Sequence, residues 1–448
     1  MANTYLQRNM ANSLDSVYTI SMWVKRCEVS RQQMLFSAYN NSTYDTECFF
    51  DGDKINWRNK RNGSFTWQKK SNAKFRDTNS FYHFVFQNNQ SNRKIYVNGV
   101  EITSWETNTD GSGASTWNND KSHAIGSTVN GGADHFNGII SHMHFASGTS
   151  LAPTVFGSVD SVTGEWQINT SPSFTPGANG FTILKDGNTI TDQSSNSNNW
   201  SSNGAGVTTT KDCPSNNFPT FITASHSGSY TFYNGATTSF GNGTSDWSKA
   251  TIGTLGASDG KYYWEIKLGM NGGATDYNIT GVVRSDKVFS NSNVYSNGGF
   301  NGLQSANAAG GLGIYSQTGA SMGGALYIGG SSVNLTNGAI VMYALDLDNK
   351  KMWVGKNGTW ANAGSGGGVG NPATGANPLW GTGEFTTGAT YLPGNIQYQT
   401  SDCSYNFGNG YFKTTAVASA GTNASGNGIF EYNVPSGFTA LSTKGLNL

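Results

Sequence analysis

The chain has 448 residues, enough for two domains that each build a core. Its 27 basic and 27 acidic residues cancel, which removes any general pull toward nucleic acid or an anionic membrane. The 59 glycines, the 12% aromatic content and the presence of only 9 prolines argue against a collagen-like stalk or proline-rich linker and for an all-β chain of short strands and many turns.

The first ten residues lack the apolar core of a signal peptide, and no later apolar run approaches the ~20 residues needed to span a bilayer. Synthesis in a cytoplasm without a leader, and no membrane insertion, are therefore expected. Cys27, Cys48, Cys213 and Cys403 are scattered with no C-x-x-C, so buried or half-buried free thiols are expected.

In chain order, Tyr18–Arg26 reads as a strand with Tyr18, Ile20, Met22 and Val24 on one face. From Lys54 a hairpin follows. A three-residue Asn62-Gly63-Ser64 loop would set Trp57, Phe65 and Trp67 on one face, whereas a two-residue loop would separate Trp57 from the other two. The odd loop is preferred for that reason. The hairpin and its flank carry Lys54, Arg58, Lys60, Arg61, Lys69, Lys70, Lys74 and Arg76. Interleaved with aromatics, they could hold a polyanion, but the solvated face of a strand pair is the simpler reading, and no nucleic-acid partner is expected. Phe81–Phe86 is apolar on both faces, which suits a strand covered twice, with His83 a satisfied core residue. Lys94–Ile102 is a hairpin turning at Asn98-Gly99, and Phe136–Phe145 and Leu151–Phe156 close this half.

The set Tyr18–Arg26, Phe81–Phe86, Lys94–Gly99 and Phe136–Ile140 resembles the laminin-G/concanavalin-A-like jelly-roll family over residues 1–157. The resemblance implies a two-sheet sandwich of lectin type, glycan binding through rim loops and, in some members, calcium. Calcium carries over poorly, because Ser141 and His142 stand where the family often has an acidic residue. Asp51-Gly52-Asp53 falls short of the six to eight oxygens that calcium takes. His142 and His144 would share a strand face, with His135 as a third zinc ligand, but the spacing alone does not make that site. No metal or other cofactor is expected.

Residues 158–225 change character. The regularly placed Trp166, Phe181, Trp200 and Phe218 would be left in water by a free linker, so an ordered connector packed on the domains is expected. The order of Leu151–Phe156, Asn198–Trp200 and Pro214–Phe218 resembles a connector of bacteriophage virion and tail-fibre-like proteins, marine ones especially.

In Lys261–Leu268, Tyr262, Trp264, Ile266 and Leu268 alternate with outward Glu265 and Lys267. The stretch Ile340–Trp360 is a hairpin with turns at Asp348-Asn349-Lys350 and Asn357-Gly358. Tyr263–Ile266, Tyr343–Asp348, Met352–Gly358, Asn406–Gly408 and Pro435–Phe438 resemble a SPRY domain over 226–448. That implies a second β-sandwich, loops offered to partners and no catalysis. The Gly-rich insertion from Ala361 to Glu384 would hang from a rim.

Asp346 and Asp348 are the obvious carboxylate pair, but they flank a turn on one strand instead of facing each other across a bond to be cleaved, and they read as solvated turn residues. No Gly-x-Ser-x-Gly, His-Glu-x-x-His or Walker loop is present. The sequence thus places no catalytic, cofactor-binding or metal-ligating residue, and an enzyme is not expected. The expected fold is two antiparallel β-sandwiches of jelly-roll type. The expected function is a phage virion surface component on tail or head, binding virion neighbours and host-surface glycans, with a homo-oligomer such as a trimer as its assembly. A structural decoration protein is the alternative, and a glycan depolymerase the third reading. The start of the lectin-like domain near Met1 further suggests attachment through a domain face.

Overall fold

A computed structural model describes residues 4–11, 16–41, 44–90, 92–112, 114–185, 189–204, 207–223, 230–241, 250–270, 277–288, 311–317, 326–329, 331–364 and 366–447. The chain divides into two compact units, Met1–Ser215 and Asn216–Leu448. Both are β-sandwiches, and the one α-helix among the described residues is the four-residue Ser285–Val288.

The first unit has an eight-stranded sheet running Trp105–Thr109, Ser64–Ser71, Lys54–Arg61, Tyr44–Asp51, Gln33–Asn41, Ser122–Ile125, Tyr5–Asn9 and Ser201–Asn203. A six-stranded sheet runs Phe181–Ile183, Gly138–Ser147, Val17–Arg26, Tyr82–Asn89, Asn92–Val97 and Val100–Glu101. Between them Tyr18, Ile20, Met22 and Val24 share the core face with Phe84 and Phe86, and meet Cys48, Phe50, Trp57 and Trp67. Period-two alternation thus does what the sequence pattern requires.

The outer face of the six-stranded sheet is apolar as well, and the chain covers it a second time. Gly157–Val159 pairs with Trp166–Ile168, and this hairpin brings Trp166 and Ile168 onto Trp23, Phe81 and Ile139. His83 stacks on Trp23 with ring centres 4.6 Å apart and on Trp166 at 5.9 Å. The Trp166 indole N–H donates to its Nδ1 at 2.9 Å, while Nε2 lies 2.8 Å from Ser21 Oγ. An indole can only donate, so Nδ1 is the acceptor and the proton sits on Nε2. Burial lowers His83 to about 3, which keeps it neutral. Gly99 serves this cover twice, turning at φ +80° and leaving room where a Cβ would lie 2.5 Å from the Trp166 ring. Beside it, buried Lys25 and Asp212 pair at 3.0 Å.

The stretch 158–225 is therefore spent in several places. Phe181–Ile183 and Ser201–Asn203 extend the two sheets of the first unit, Trp200 packs on Phe181 and Phe36, and Asp212 reaches Lys25. From Asn216 the chain belongs to the second unit, where Phe221–Thr223 starts a sheet.

One register differs from expectation. The first hairpin turns on two residues, Asn62 and Gly63, both at positive φ, with Arg61 opposite Ser64 and Lys60 opposite Phe65. The register then shifts so that Asn59 meets Trp67. This β-bulge restores Trp57 and Trp67 to the core face and leaves Phe65 on the other side, 51% exposed. The Asn-Gly turn wins because its left-handed pair of residues matches strand twist, and the bulge absorbs the parity error.

In the second unit one sheet runs Phe221–Thr223, Ala250–Gly253, Tyr391–Tyr398, Tyr277–Arg284 and Gly311–Gln317. The other runs Tyr230–Tyr233, Thr238–Gly241, Ser401–Asn406, Lys261–Met270, Ile340–Asp346, Lys351–Lys356 and Thr359–Trp360, with Thr439–Ala440 joined in parallel to Lys261–Met270. Trp264 stacks on Tyr343, whose hydroxyl donates across the sandwich to the Thr280 carbonyl at 2.7 Å. Glu265 points away from that core, as its alternation predicts, yet it is wholly buried. Its carboxylate accepts from the backbone N–H groups of Glu431 and Tyr432, from the Tyr263 hydroxyl and from Asn406 Nδ2.

Two outcomes follow from these buried groups. The His83 ring should stay neutral, protonated on Nε2, down to about pH 4, as ¹⁵N NMR of the imidazole will show. Burial pushes Glu265 up to about 7 against its four donors, so the folded unit holds this proton more tightly than the unfolded chain. Its contribution to stability is complete below about pH 4.5 and is lost as pH rises through about 7. Denaturant midpoints of the second unit should fall from about pH 5 to about pH 8. In Glu265→Ala that slope should flatten, and stability should drop by roughly 3 kcal/mol as four donors lose their acceptor.

Candidate functional site

The face of the eight-stranded sheet that points away from the core is built by the residues alternating with its core positions. One row crosses five strands as Ser122, Tyr39, Asp45, Lys60 and Phe65. The next is Ser37, Glu47, Arg58 and Gln68. Tyr39 is 41% exposed and Phe65 51%. They stand three strand spacings apart, ~14 Å at ~4.8 Å per strand, with an acid and a base between them.

The electrostatics of this face are nearly closed. Arg58 makes two bonds to Glu47, at 3.0 and 2.9 Å, and lies between the rings of Phe49 and Phe65, 4.6 and 4.8 Å from their centres. Lys70 bridges Asp51 at 2.9 Å and Glu106 at 2.7 Å, and Lys54 also bonds Glu106. The two lysines hold Glu106 down at about 2. Asp45 is the exception. Lys60 stands 4.0 Å from its Oδ2, beyond hydrogen-bond reach, and its buried Oδ1 has no hydrogen-bond partner. Burial raises its carboxyl to about 6, Glu47 adding to the rise and Lys60 and Arg58 opposing it.

The residues singled out in the sequence take other roles. Most of the basic excess is spent in ion pairs: besides those above, Lys69 pairs with Asp110 at 3.3 Å and Arg76 with Asp53 at 2.6 Å. Asp53 also takes the Ser30 N–H and faces Arg26. Burial would raise Asp53, but Arg76, the Ser30 N–H and Arg26 outweigh it and hold it low. His142 sits at φ +46° in a β-bulge of Gly138–Ser147, so it and His144 do not share a regular strand face. His142 Nδ1 meets Ser141 Oγ, and His144 meets Thr182 Oγ1 and stacks on Phe156. His135 packs near Tyr5. Among the described residues no three His, Cys, Asp or Glu gather as a metal cluster.

In the second unit Asp346 is buried where a solvated residue was expected. It accepts from the Asn349 backbone and side chain and pairs with Lys261 at 3.0 Å, while Asp348 accepts the Gly260 N–H. Both fasten turns. The insertion after Trp360 returns to the sheet at Trp380, which bridges to Met352.

Tyr39, Asp45 and the exposed Phe65 were not legible as a set. Their common face follows from the two-residue Asn62-Gly63 turn, which sets Phe65 opposite Lys60 where a three-residue loop was expected.

The family described as the concanavalin A-like lectin/glucanases superfamily, of laminin G type, matches residues 1–156. No curated protein matches the chain. Among solved structures, domain 4 of AbnA, a GH43 extracellular arabinanase from Geobacillus stearothermophilus solved with arabinotriose, is 20% identical. It covers 33% of this chain and 68% of its own, with a TM-score of 0.26. The CBM40 of the Ruminococcus gnavus IT-sialidase is 16% identical over 33% of this chain and 95% of its own, TM-score 0.27. The SPRY domain of human HERC1 is 13% identical over 38% and 86%, TM-score 0.22. The first 156 residues, within the first β-sandwich unit, are similar to the concanavalin A-like family of laminin G type.

Proposed function

We propose that the protein binds carbohydrate through the outer face of its eight-stranded first-unit sheet, as an attachment component on the surface of a bacteriophage virion that meets host glycans. The observation that carries the binding is the row in which exposed Tyr39 and Phe65 flank Asp45 and Lys60, a carboxylate and an ammonium too far apart to hydrogen-bond each other. A sugar offers C–H faces to aromatic rings and hydroxyl donors to a carboxylate, and this row presents both. Asp45 and Glu47 balance Lys60 and Arg58, so the face suits a neutral oligosaccharide better than a polyanion. The lectin-type family of residues 1–156 supports the same reading. The virion setting rests on the likeness of the stretch from Leu151 to Phe218 to phage connectors. There, many copies would multiply weak single contacts.

A glycan array probed with the full chain should give binding that Tyr39→Ala or Phe65→Ala weakens about tenfold, ~1.4 kcal/mol. Absence of binding to every glycan and to susceptible host cells would overturn the proposal. Because the ionised carboxylate is the acceptor, affinity should be full above about pH 7 and fall as pH drops through about 6. Asp45→Asn should remove that dependence. The chain should also appear in the mass spectrum of purified virions of the phage that encodes it.

A further inference from the structure

A second constellation lies in the second unit. Cys403 and Tyr405 of Ser401–Asn406 point into the core, so Asp402 and Ser404 turn to the opposite face. Their cross-strand partners turn with them. One row reads Thr231, Phe240, Asp402 and Gly269, and its neighbour reads Tyr233, Thr238, Ser404 and Lys267. On this face Tyr233, Thr238, Phe240, Asp402, Lys413 and Thr414, with Asn234 at the hairpin turn, line a cleft of about 360 Å³.

Its polar groups are held in place. Asp402 is 4% exposed and takes Lys413 at 2.7 Å, with the lysine at the open side. Asn234 Nδ2 donates to Thr238 Oγ1 at 3.4 Å, and that hydroxyl donates to Ser404 Oγ at 3.3 Å. Gly269, inside a paired strand, is where a side chain would normally help the sheet. A Cβ there would lie 2.1 Å from Asp402 Oδ1, so the glycine makes the space in which the carboxylate lies across the neighbouring strand.

We infer that this cleft binds a neutral mono- or disaccharide, independently of the first-unit face. Its volume lies near the lower end of the roughly 300–1,000 Å³ typical of small-molecule sites, which admits a short sugar and no long chain. Lys413 is neutralised by Asp402, so the cleft lacks the net positive charge that would select an anion. Two aromatic rings beside hydroxyl, amide, carboxylate and ammonium groups match a ligand with apolar C–H faces and many hydroxyls.

The test is ligand-observed saturation-transfer NMR on the full chain with neutral hexoses, pentoses and their disaccharides, and with sialic acid as the anionic probe. At least one neutral sugar should receive saturation. Phe240→Ala and Gly269→Ala should weaken its affinity at least about tenfold, and Phe65→Ala in the first unit should leave it unchanged. Thr414→Arg, at an exposed position, should block the cleft while the thermal melt stays that of the parent chain, which covers the case in which a core variant misfolds. Transfer that survives Thr414→Arg once Phe65→Ala has weakened the first-unit face, transfer lost only in Phe65→Ala, response to sialic acid alone, or no transfer to any sugar would each overturn the inference. Transfer lost only in Phe65→Ala would do so while leaving the first-unit proposal standing.

Discussion

A sheet that is apolar on both faces must be covered on both, and the first unit is arranged around that constraint. Phe84 and Phe86 fill the core while His83, one residue out of phase, faces the other way between Trp23 and Trp166. Unbonded, a buried imidazole would be costly there. With an indole donating to one nitrogen and Ser21 beside the other, it becomes the polar pin of an otherwise apolar layer. The segment after Phe156 is thereby tied down as part of the first unit.

The opposite sheet solves a different problem. Its outer face meets water, so its residues pair with one another: Arg58 with Glu47, Lys70 with Asp51 and Glu106. Exposed pairs of this kind add little stability. What they do is hold long side chains in place, and the Phe49–Arg58–Phe65 sandwich fixes the one strongly exposed phenylalanine of the hairpin. A face ordered before a ligand arrives loses less on binding.

The fold was largely readable from alternation. Tyr18 to Val24, Trp264 to Leu268 and the two-faced Phe81–Phe86 stretch carry the period of two that assigns strands and their buried faces. Features produced by tertiary contact were not readable. The bulge after Asn59 and the one at His142 shift register by one residue without a sequence signature. Glu265 reads only as outward, and the return of Glu431 and Tyr432 helps to bury it. The second-unit cleft joins residues 233–240, 402 and 413–414, and no local pattern links stretches so far apart.

The Lys54–Arg61 strand sends Ile55, Trp57 and Asn59 inward and Lys54, Asn56, Arg58 and Lys60 to the other side. Folding and the proposed recognition are thereby written on alternate letters of one strand. On that proposal, mutation can change what the outer face recognises while the inner letters go on specifying the sandwich, so a lineage that must follow a changing target can explore new specificities without first losing its fold.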